Sequence, residues 1–191
     1  MSGPGRHRDP DIDAAVRTAT LQLLREVGYA DLSIGQIAKR AGVYRPAIYR
    51  RWPSKQDLVT DVLAAAMGRS PTPDTGNLRA DLLAGIGTVL DGLTEETLGH
   101  VLIPFAADLG GQPELRAEFF RRVFDARRAS TEQRLRAAIG AGEVRGDIDM
   151  PFVLDALAAP FYYRRLFGHA PLDRALLERT VDLVLAGIRA E

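Results

Sequence analysis

The sequence predicts an all-α fold, and three observations carry that prediction. Apolar residues recur at three- and four-residue spacing along almost the whole chain, no stretch alternates apolar and polar residues between hairpin turns, and glycines and prolines gather at intervals of helix length. A chain of 191 residues has room for one large domain or two small ones. With 46% apolar and 26% charged residues it is expected to bury a core rather than stay disordered.

The first helix is expected from about 11 to 27, its apolar positions supplied by Val16, Leu21, Leu23, Leu24 and Val27, with Gly28 placed for a left-handed cap. Asp9, Asp11 and Asp13 crowd its start. Their spacing resembles a calcium loop, but the sixth position is no glycine and the twelfth is Thr20 rather than glutamate, so they read as acids on the helix dipole. Two short helices follow, 33 to 41 and 44 to 52, separated by Gly42 and Val43. Ser33 and Gln36 form a capping-box pair, and Pro53 stops the second helix at Trp52. Ser54, with Asp57 at the same offset, opens a fourth helix that carries Leu58, Val62 and Leu63 and ends near Gly68.

The segment RSPTPDTGN, residues 69 to 77, is rich in proline, glycine and small polar residues and reads as a linker. It divides the chain into residues 1–69 and 70–191. Beyond it, helices are expected at about 77 to 93, 96 to 109, 113 to 140, 150 to 167 and 173 to 189, about nine in all. Pro160 is expected to kink the fourth of these five.

The two short helices are so close that they must cross steeply. That needs a small residue at their contact and a residue tolerant of left-handed geometry in the turn, which Ala38 and Gly42 supply. Ile37, Val43 and Ile48 are then available to hold the pair on the first helix. The outer face of the second carries Tyr44, Arg45, Ala47, Arg50 and Arg51, suited to base edges and phosphates. This is a helix-turn-helix. Charge agrees with it: residues 1–69 hold 11 basic and 7 acidic side chains, a balance of +4, against 14 and 18, or −4, for residues 70–191. Between Leu32 and Gln56 six cations, Lys39, Arg40, Arg45, Arg50, Arg51 and Lys55, stand without one acid.

The run LSIGQIAKRAGVYRPAIYRRWPSKQDLV resembles the DNA-binding domain of the tetracycline-repressor (TetR) family of bacterial transcriptional regulators. The family pattern is matched at Ser33, Ile37, Ala38, Ala41, Gly42, Val43, Ile48, Tyr49, Lys55 and Leu58, specifically for residues 10 to 65 and by helical layout beyond. The sequence departs from it at Gly35, where a longer side chain is common, and at Tyr44, where a small or polar one is. The resemblance implies that Tyr44, Arg45, Pro46 and Ala47 face base edges, that Tyr49 and Lys55 hold phosphates, and that Gly35 and Gln36, beside the capping Ser33, approach the groove. Arg45 is the expected main base reader, and Arg50 and Arg51 are assigned to the DNA backbone rather than to bases. Arg6 and Arg8 lie on a Gly/Pro-rich arm expected to be disordered.

One such domain offers too little contact for tight specific binding, so a homodimer on a near-palindromic double-stranded operator is expected. The last helix bears Leu177, Val181, Val184, Leu185 and Ile188, with Gly187 allowing close approach, and the preceding one bears Leu154, Leu157, Ala158 and Phe161. An intramolecular core accounts for these stripes equally well. It is the resemblance, in which the last two helices form a four-helix interface, that assigns them to the dimer. The resemblance also implies a small-molecule cavity in the C-terminal domain whose filling weakens operator affinity. Candidate wall residues are His100, Phe105, Phe120, Phe124, Tyr162 and Tyr163, for each of which ordinary core packing is the competing account. Their aromatic character favours a flat or hydrophobic effector. Arg121, Arg122, Arg127 and Arg128 read as a solvated face, and a buried member among them would point to an anionic ligand.

An enzyme is not expected. His7, His100 and His169 are far apart, no metalloprotease, P-loop or dinucleotide fingerprint is present, and Asp149 of GDIDMP is placed as a helix cap rather than as a metal ligand beside Asp147. Zero cysteines exclude disulfides, thiolate zinc sites and cysteine nucleophiles. No cofactor is expected, nor is a leader peptide or membrane span, and the expected compartment is the cytoplasm. Alternatives kept open are an activator or ligand-independent regulator that still binds DNA, and a helical interaction module that does not.

Overall fold

The computed structural model describes residues 10–66 and 71–190, so the expectations for Arg6, His7, Arg8, Asp9 and the end of the fourth helix near Gly68 lie outside the described residues. Four helices build the head: α1 (Pro10–Val27), α2 (Ile34–Ala41), α3 (Arg45–Tyr49) and α4 (Lys55–Ala66). Six build the body: α5 (Leu78–Thr94), α6 (Glu96–Asp108), α7 (Pro113–Val123), α8 (Asp125–Gly140), α9 (Met150–Phe167) and α10 (Arg174–Ile188), with a 3₁₀ turn, Leu109–Gly111, between α6 and α7. Among the described residues there is no strand, only one isolated antiparallel bridge between Val144 and Arg189. The fold is all-α as expected.

In the head, Val16, Ile37, Ile48, Leu58 and Leu63 are fully buried, one or two from each helix, so the apolar stripes meet in a small common core. Gly42 takes the left-handed φ of 67° that the turn requires, and its amide reaches the carbonyl of Ala38 to close α2. In the body, α5 packs against α6, α8, α9 and α10, which makes it the central helix.

Three expectations are corrected. The helix expected over 113 to 140 is two helices, broken at Phe124 (φ −109°, ψ −38°), because α7 packs on α4 of the head while α8 packs on α5 of the body. No glycine or proline marks that break; it is set by which neighbours the two halves must cover. The stretch read as a linker is stitched to the body from Thr72 onward. Thr72 is buried, its amide donating to Ser130 Oγ (3.0 Å) and its hydroxyl sharing a 2.7 Å hydrogen bond with Thr131. Gly85 leaves the room for this, since a Cβ there would lie 2.2 Å from Thr72 Oγ1. Next to it Thr75 and Arg134 converge on Asp81, with Arg134 Nε 2.6 Å from Oδ2 and both charged side chains almost wholly enclosed. Burial alone would raise the Asp81 carboxyl, and the bonds from Arg134 and Thr75 more than offset it, leaving it below the ordinary carboxylate range.

The third correction concerns the apolar stripes of the last two helices. Leu157, Phe161, Leu177, Val181 and Ile188 are buried within the protomer, and Val184 and Leu185 are half-buried. They pack α9 and α10 onto the protomer's own core, and the five already enclosed have no area left to bury against another chain, whereas Val184 and Leu185 keep part of theirs. The exposed apolar side chains on these helices are others: Phe152, Tyr163, Leu166 and Phe167 on α9, and Leu183 on α10. Pro160 lies inside α9 without ending it.

Candidate functional site

On the head, the turn residues Gly42 to Tyr44 swing α3 outward so that its first turn projects from the surface. Tyr44 is 87% exposed, an unusual setting for a large aromatic ring, while Arg45, Pro46 and Arg50 are exposed and Tyr49 half-exposed. Ala47 turns partly inward beside the buried Ile48. Pro46 in the first turn suits its fixed φ and missing donor. Ser33 and Gln36 close the capping box, the Gln36 Oε1 accepting from the Ser33 amide at 2.8 Å. Their place at the N-terminus of α2 is beside α3 because the Arg45 guanidinium lies across Gly35, where a Cβ would stand 2.5 Å from an Arg45 nitrogen. Gly35 therefore works by what it leaves open.

The six cations of this segment divide by contact. Arg51 forms an ion pair with Asp13 and donates to the Ala47 carbonyl at 3.0 Å, only 11% of its side chain exposed, so its assignment to the DNA backbone is corrected: it ties α3 to α1. Arg40 makes a two-point contact with Glu26 at 2.7 and 2.8 Å. Lys55 rests 4.2 Å over the Tyr29 ring and donates to the Tyr29 carbonyl at 3.3 Å, giving it a structural contact besides the phosphate role assigned to it. Lys39 of α2 is exposed, and Arg45 and Arg50 remain as exposed guanidiniums at the two ends of the projecting helix.

Where head and body meet, two polar clusters flank an aromatic contact, and Arg25 of α1 lies 3.5 Å from Glu95 at the end of α5. The Tyr29 hydroxyl donates to Asp108 at the end of α6, and Gln56 Nε2 donates to the same oxygen at 3.0 Å. The Tyr29 bond is the main cause that holds the Asp108 carboxyl below its ordinary range, while burial and that same bond push the Tyr29 hydroxyl up. On the other side Asp61 of α4 accepts from Arg17 (2.7 Å), Trp52 (3.1 Å) and Arg122 of α7. Burial raises the Asp61 carboxyl, and these donors more than reverse it. Between the two, the buried Phe105 ring stands edge-on to Tyr29 (5.0 Å) and Phe119 (5.1 Å).

In the body a cavity of about 820 Å³ opens among α5, α6, α7, α8 and α9. Phe120, Phe124, Tyr162 and Tyr163 line it; Phe105, which packs between head and body, and the exposed His100 lie outside the lining. Phe119, Leu154 and Ala158 line it without having been singled out as wall residues, and Arg116, Arg127, Arg128 and Asp155 contribute charge. Arg127 is half-buried, and Arg128 pairs with Asp155 at 2.6 Å. Burial lowers the Arg127 guanidinium from its ordinary value, against an opposing influence from Tyr162. Tyr162 itself is pushed up to about 12 by burial, so its hydroxyl remains a donor at neutral pH. Among the described residues no group of three or more histidine, aspartate or glutamate side chains is arranged to hold a metal ion, and no helix is long and apolar enough to cross a membrane.

A projecting helix with cations and an exposed aromatic ring, mounted on a head that is bolted to a hollow helical body, suits a sensor that reads DNA. Comparison with known proteins decides the family. The model for bacterial regulatory proteins of the tetR family matches residues 16–62, and that for the tetracyclin repressor-like C-terminal domain matches residues 72–184. The chain belongs to the TetR family.

Two relatives indicate how evenly the likeness runs. The DNA-binding transcriptional repressor TetR of Mycobacteroides abscessus is 32% identical over 90% of each chain, and the HTH-type transcriptional regulator YdeS of Bacillus subtilis is 28% identical over all of this chain and 96% of its own. The crystal structure of the TetR family transcription regulator SCO0332 superposes with a TM-score of 0.73 at 32% identity, covering 93% of this chain and 98% of that one. This TetR-family chain is a helix-turn-helix transcriptional regulator, and its relatives are regulators rather than enzymes.

Proposed function

We propose that the protein is a homodimeric repressor that grips a near-palindromic operator through α3 and releases it when a small hydrophobic molecule fills the body cavity. The observation that carries this reading is shared structure: α6 and α7 are at once walls of the cavity and the helices that Tyr29, Gln56 and Asp61 of the head hold. A ligand that spreads these walls displaces the anchors of the head. It weakens DNA binding only to the extent that it prefers the displaced arrangement. Dimerisation through α9 and α10 is supported by Phe152, Tyr163, Leu166, Phe167 and Leu183, large apolar side chains left at 56 to 75% exposure on two adjacent helices. Tyr44, Arg45, Pro46, Ala47, Tyr49 and Arg50 are the proposed DNA-facing set, supported by their place on or beside the projecting first turn. The repressor sign of the response is a proposal drawn from the name of the Mycobacteroides abscessus relative.

The test is fluorescence anisotropy of the protein on the intergenic DNA flanking its own gene and on scrambled DNA, at about 50 and 200 mM salt. If about six phosphates are neutralised per dimer, the log-log salt slope is near −5, with the native fragment held and the scrambled one lost at the higher salt. Absence of binding to either DNA at low salt overturns the proposal. Tightening rather than release of the native fragment when the cavity is filled overturns the repressor sign alone.

A further inference from the structure

Most of the cavity wall is apolar. Three arginines and one aspartate contribute to its lining, Arg116, Arg127, Arg128 and Asp155, which leaves the charged part of the wall two units positive. The Arg128–Asp155 pair balances itself at 2.6 Å, and Arg116 is exposed. Arg127 is set deeper, on the first turn of α8 just past the break at Phe124. Arg127 lines the cavity together with Phe120, Phe124 and Tyr162, whereas Arg121 is exposed. A half-buried guanidinium attracts an anion more strongly than a solvated one does, because the field between them is less screened than in water. The Tyr162 hydroxyl, protonated at neutral pH, adds a second donor close by, near enough for the cation to lower its proton affinity.

The rest of the wall is aromatic. Phe119 and Phe124 meet edge-to-face with centroids 5.5 Å apart, Phe120 and Phe124 lie 4.9 Å apart, and Phe124 and Tyr162 lie 6.1 Å apart, forming a continuous ring-lined side that ends at Arg127. At about 820 Å³ the space accommodates a molecule of more than one ring. Resting on the reading of this cavity as the effector site, we propose that it takes an amphipathic organic anion: a flat hydrophobic body against the Phe119–Phe124–Tyr162 side, with its carboxylate or sulfonate held by Arg127 and Tyr162. The planar guanidinium fork matches such a two-oxygen head, and a charge-assisted bond in an apolar wall outweighs a neutral one.

Two probes with one skeleton test this. Anilinonaphthalene-8-sulfonate carries the anion, and N-phenyl-1-naphthylamine is the same ring system without it. Titrated into the purified full-length protein and followed by fluorescence, the sulfonate is expected to saturate at one site per protomer with at least a tenfold lower Kd than the neutral amine. Arg127→Met is expected to remove that preference while leaving the amine's Kd within about twofold, and Arg127→Lys to restore part of it. Ala158→Trp and Ala107→Phe, which fill the cavity from two different helices, are expected to exclude both probes; circular dichroism checks that each variant keeps its helices. Equal affinity of the two probes in the wild type, or an unchanged sulfonate Kd in Arg127→Met, overturns the anion assignment while binding that the cavity-filling variants abolish keeps the effector site. Failure of both probes to bind, or binding indifferent to both cavity-filling variants, overturns the effector-site reading itself and the anion with it.

Discussion

The head and the body solve different problems with the same element. The head's working surface comes from one uninterrupted stretch of chain, residues 33 to 55, within which Tyr44, Arg45, Pro46, Tyr49 and Arg50 are exposed. The cavity draws on five helices spread from Ile86 to Leu166, and its Arg127 and Tyr162 are half-buried. A groove reader must offer its groups to a partner outside the fold, so a short local motif is enough to present them. A cavity needs walls from all sides, and a chain supplies those only by returning to the same place several times.

This contrast predicts that truncating exposed side chains on the head surface alters DNA recognition without altering stability, and that truncating enclosed side chains inside the body does the reverse. The largest effect is expected at Arg134→Met, which strands the Asp81 carboxylate and is expected to lower the unfolding free energy by roughly 3 kcal/mol. Urea denaturation measures it, and an unchanged ratio of native to scrambled DNA affinity under folded conditions completes the expectation. Next is Arg45→Ala, expected to reduce that ratio by about 1 to 3 kcal/mol with no shift in melting temperature, read by competition anisotropy. A loss of stability there would break the contrast.

Gly35→Ala sharpens it. Alanine in place of a helical glycine is worth up to about 1 kcal/mol to α2, yet its Cβ occupies the space of the Arg45 guanidinium, a flexible end that moves aside. The expected variant melts higher and discriminates less well between DNA sequences, two readouts that a purely structural glycine would not separate. The smallest effect lies at the seam. Asp108 has a folded-state pKa below its ordinary value, so its contribution is present above the ordinary carboxylate range, near pH 4, and is lost as pH falls through the folded value, where the unfolded chain takes up more protons. Comparing urea midpoints at pH 7 and near pH 3.5, wild type is expected to lose slightly more stability than Asp108→Asn, which has no such proton to gain.

Much of the head was legible because its signals are local. A cap and its partner three residues apart, a glycine four residues beyond a small alanine, and six cations in a row without an acid are all visible along one dimension. What local reading missed there was partnership: Arg51 looks like Arg50 in sequence, and only the arrival of Asp13 from α1 separates a tether from an exposed cation. In the body, Phe120, Phe124, Tyr162 and Tyr163 were identifiable as ring-bearing wall candidates, whereas His100 and Phe105 were equally plausible by type and lie elsewhere. The stripes of α9 and α10 were correctly read as apolar, but periodicity cannot tell a face that meets α5 from one that meets a second molecule. Tyr29 and Asp108 are 79 residues apart, and Asp61 and Arg122 are 61 apart; neither pairing has a signature in spacing.

The amino-acid sequence by itself determined that the chain is helical, where most helices begin and end, and that residues 33 to 52 form a DNA-reading motif, because helix periodicity, capping and steep-turn geometry depend on neighbours within about four positions. The tertiary structure alone decided that the helix expected over 113 to 140 breaks at Phe124, that Thr72 and Thr75 tie the expected linker to the body, which arginines are tethers, and that Arg127 lines the cavity. Those outcomes depend on which distant surfaces compete for the same side chain, and that competition exists only once the helices have packed.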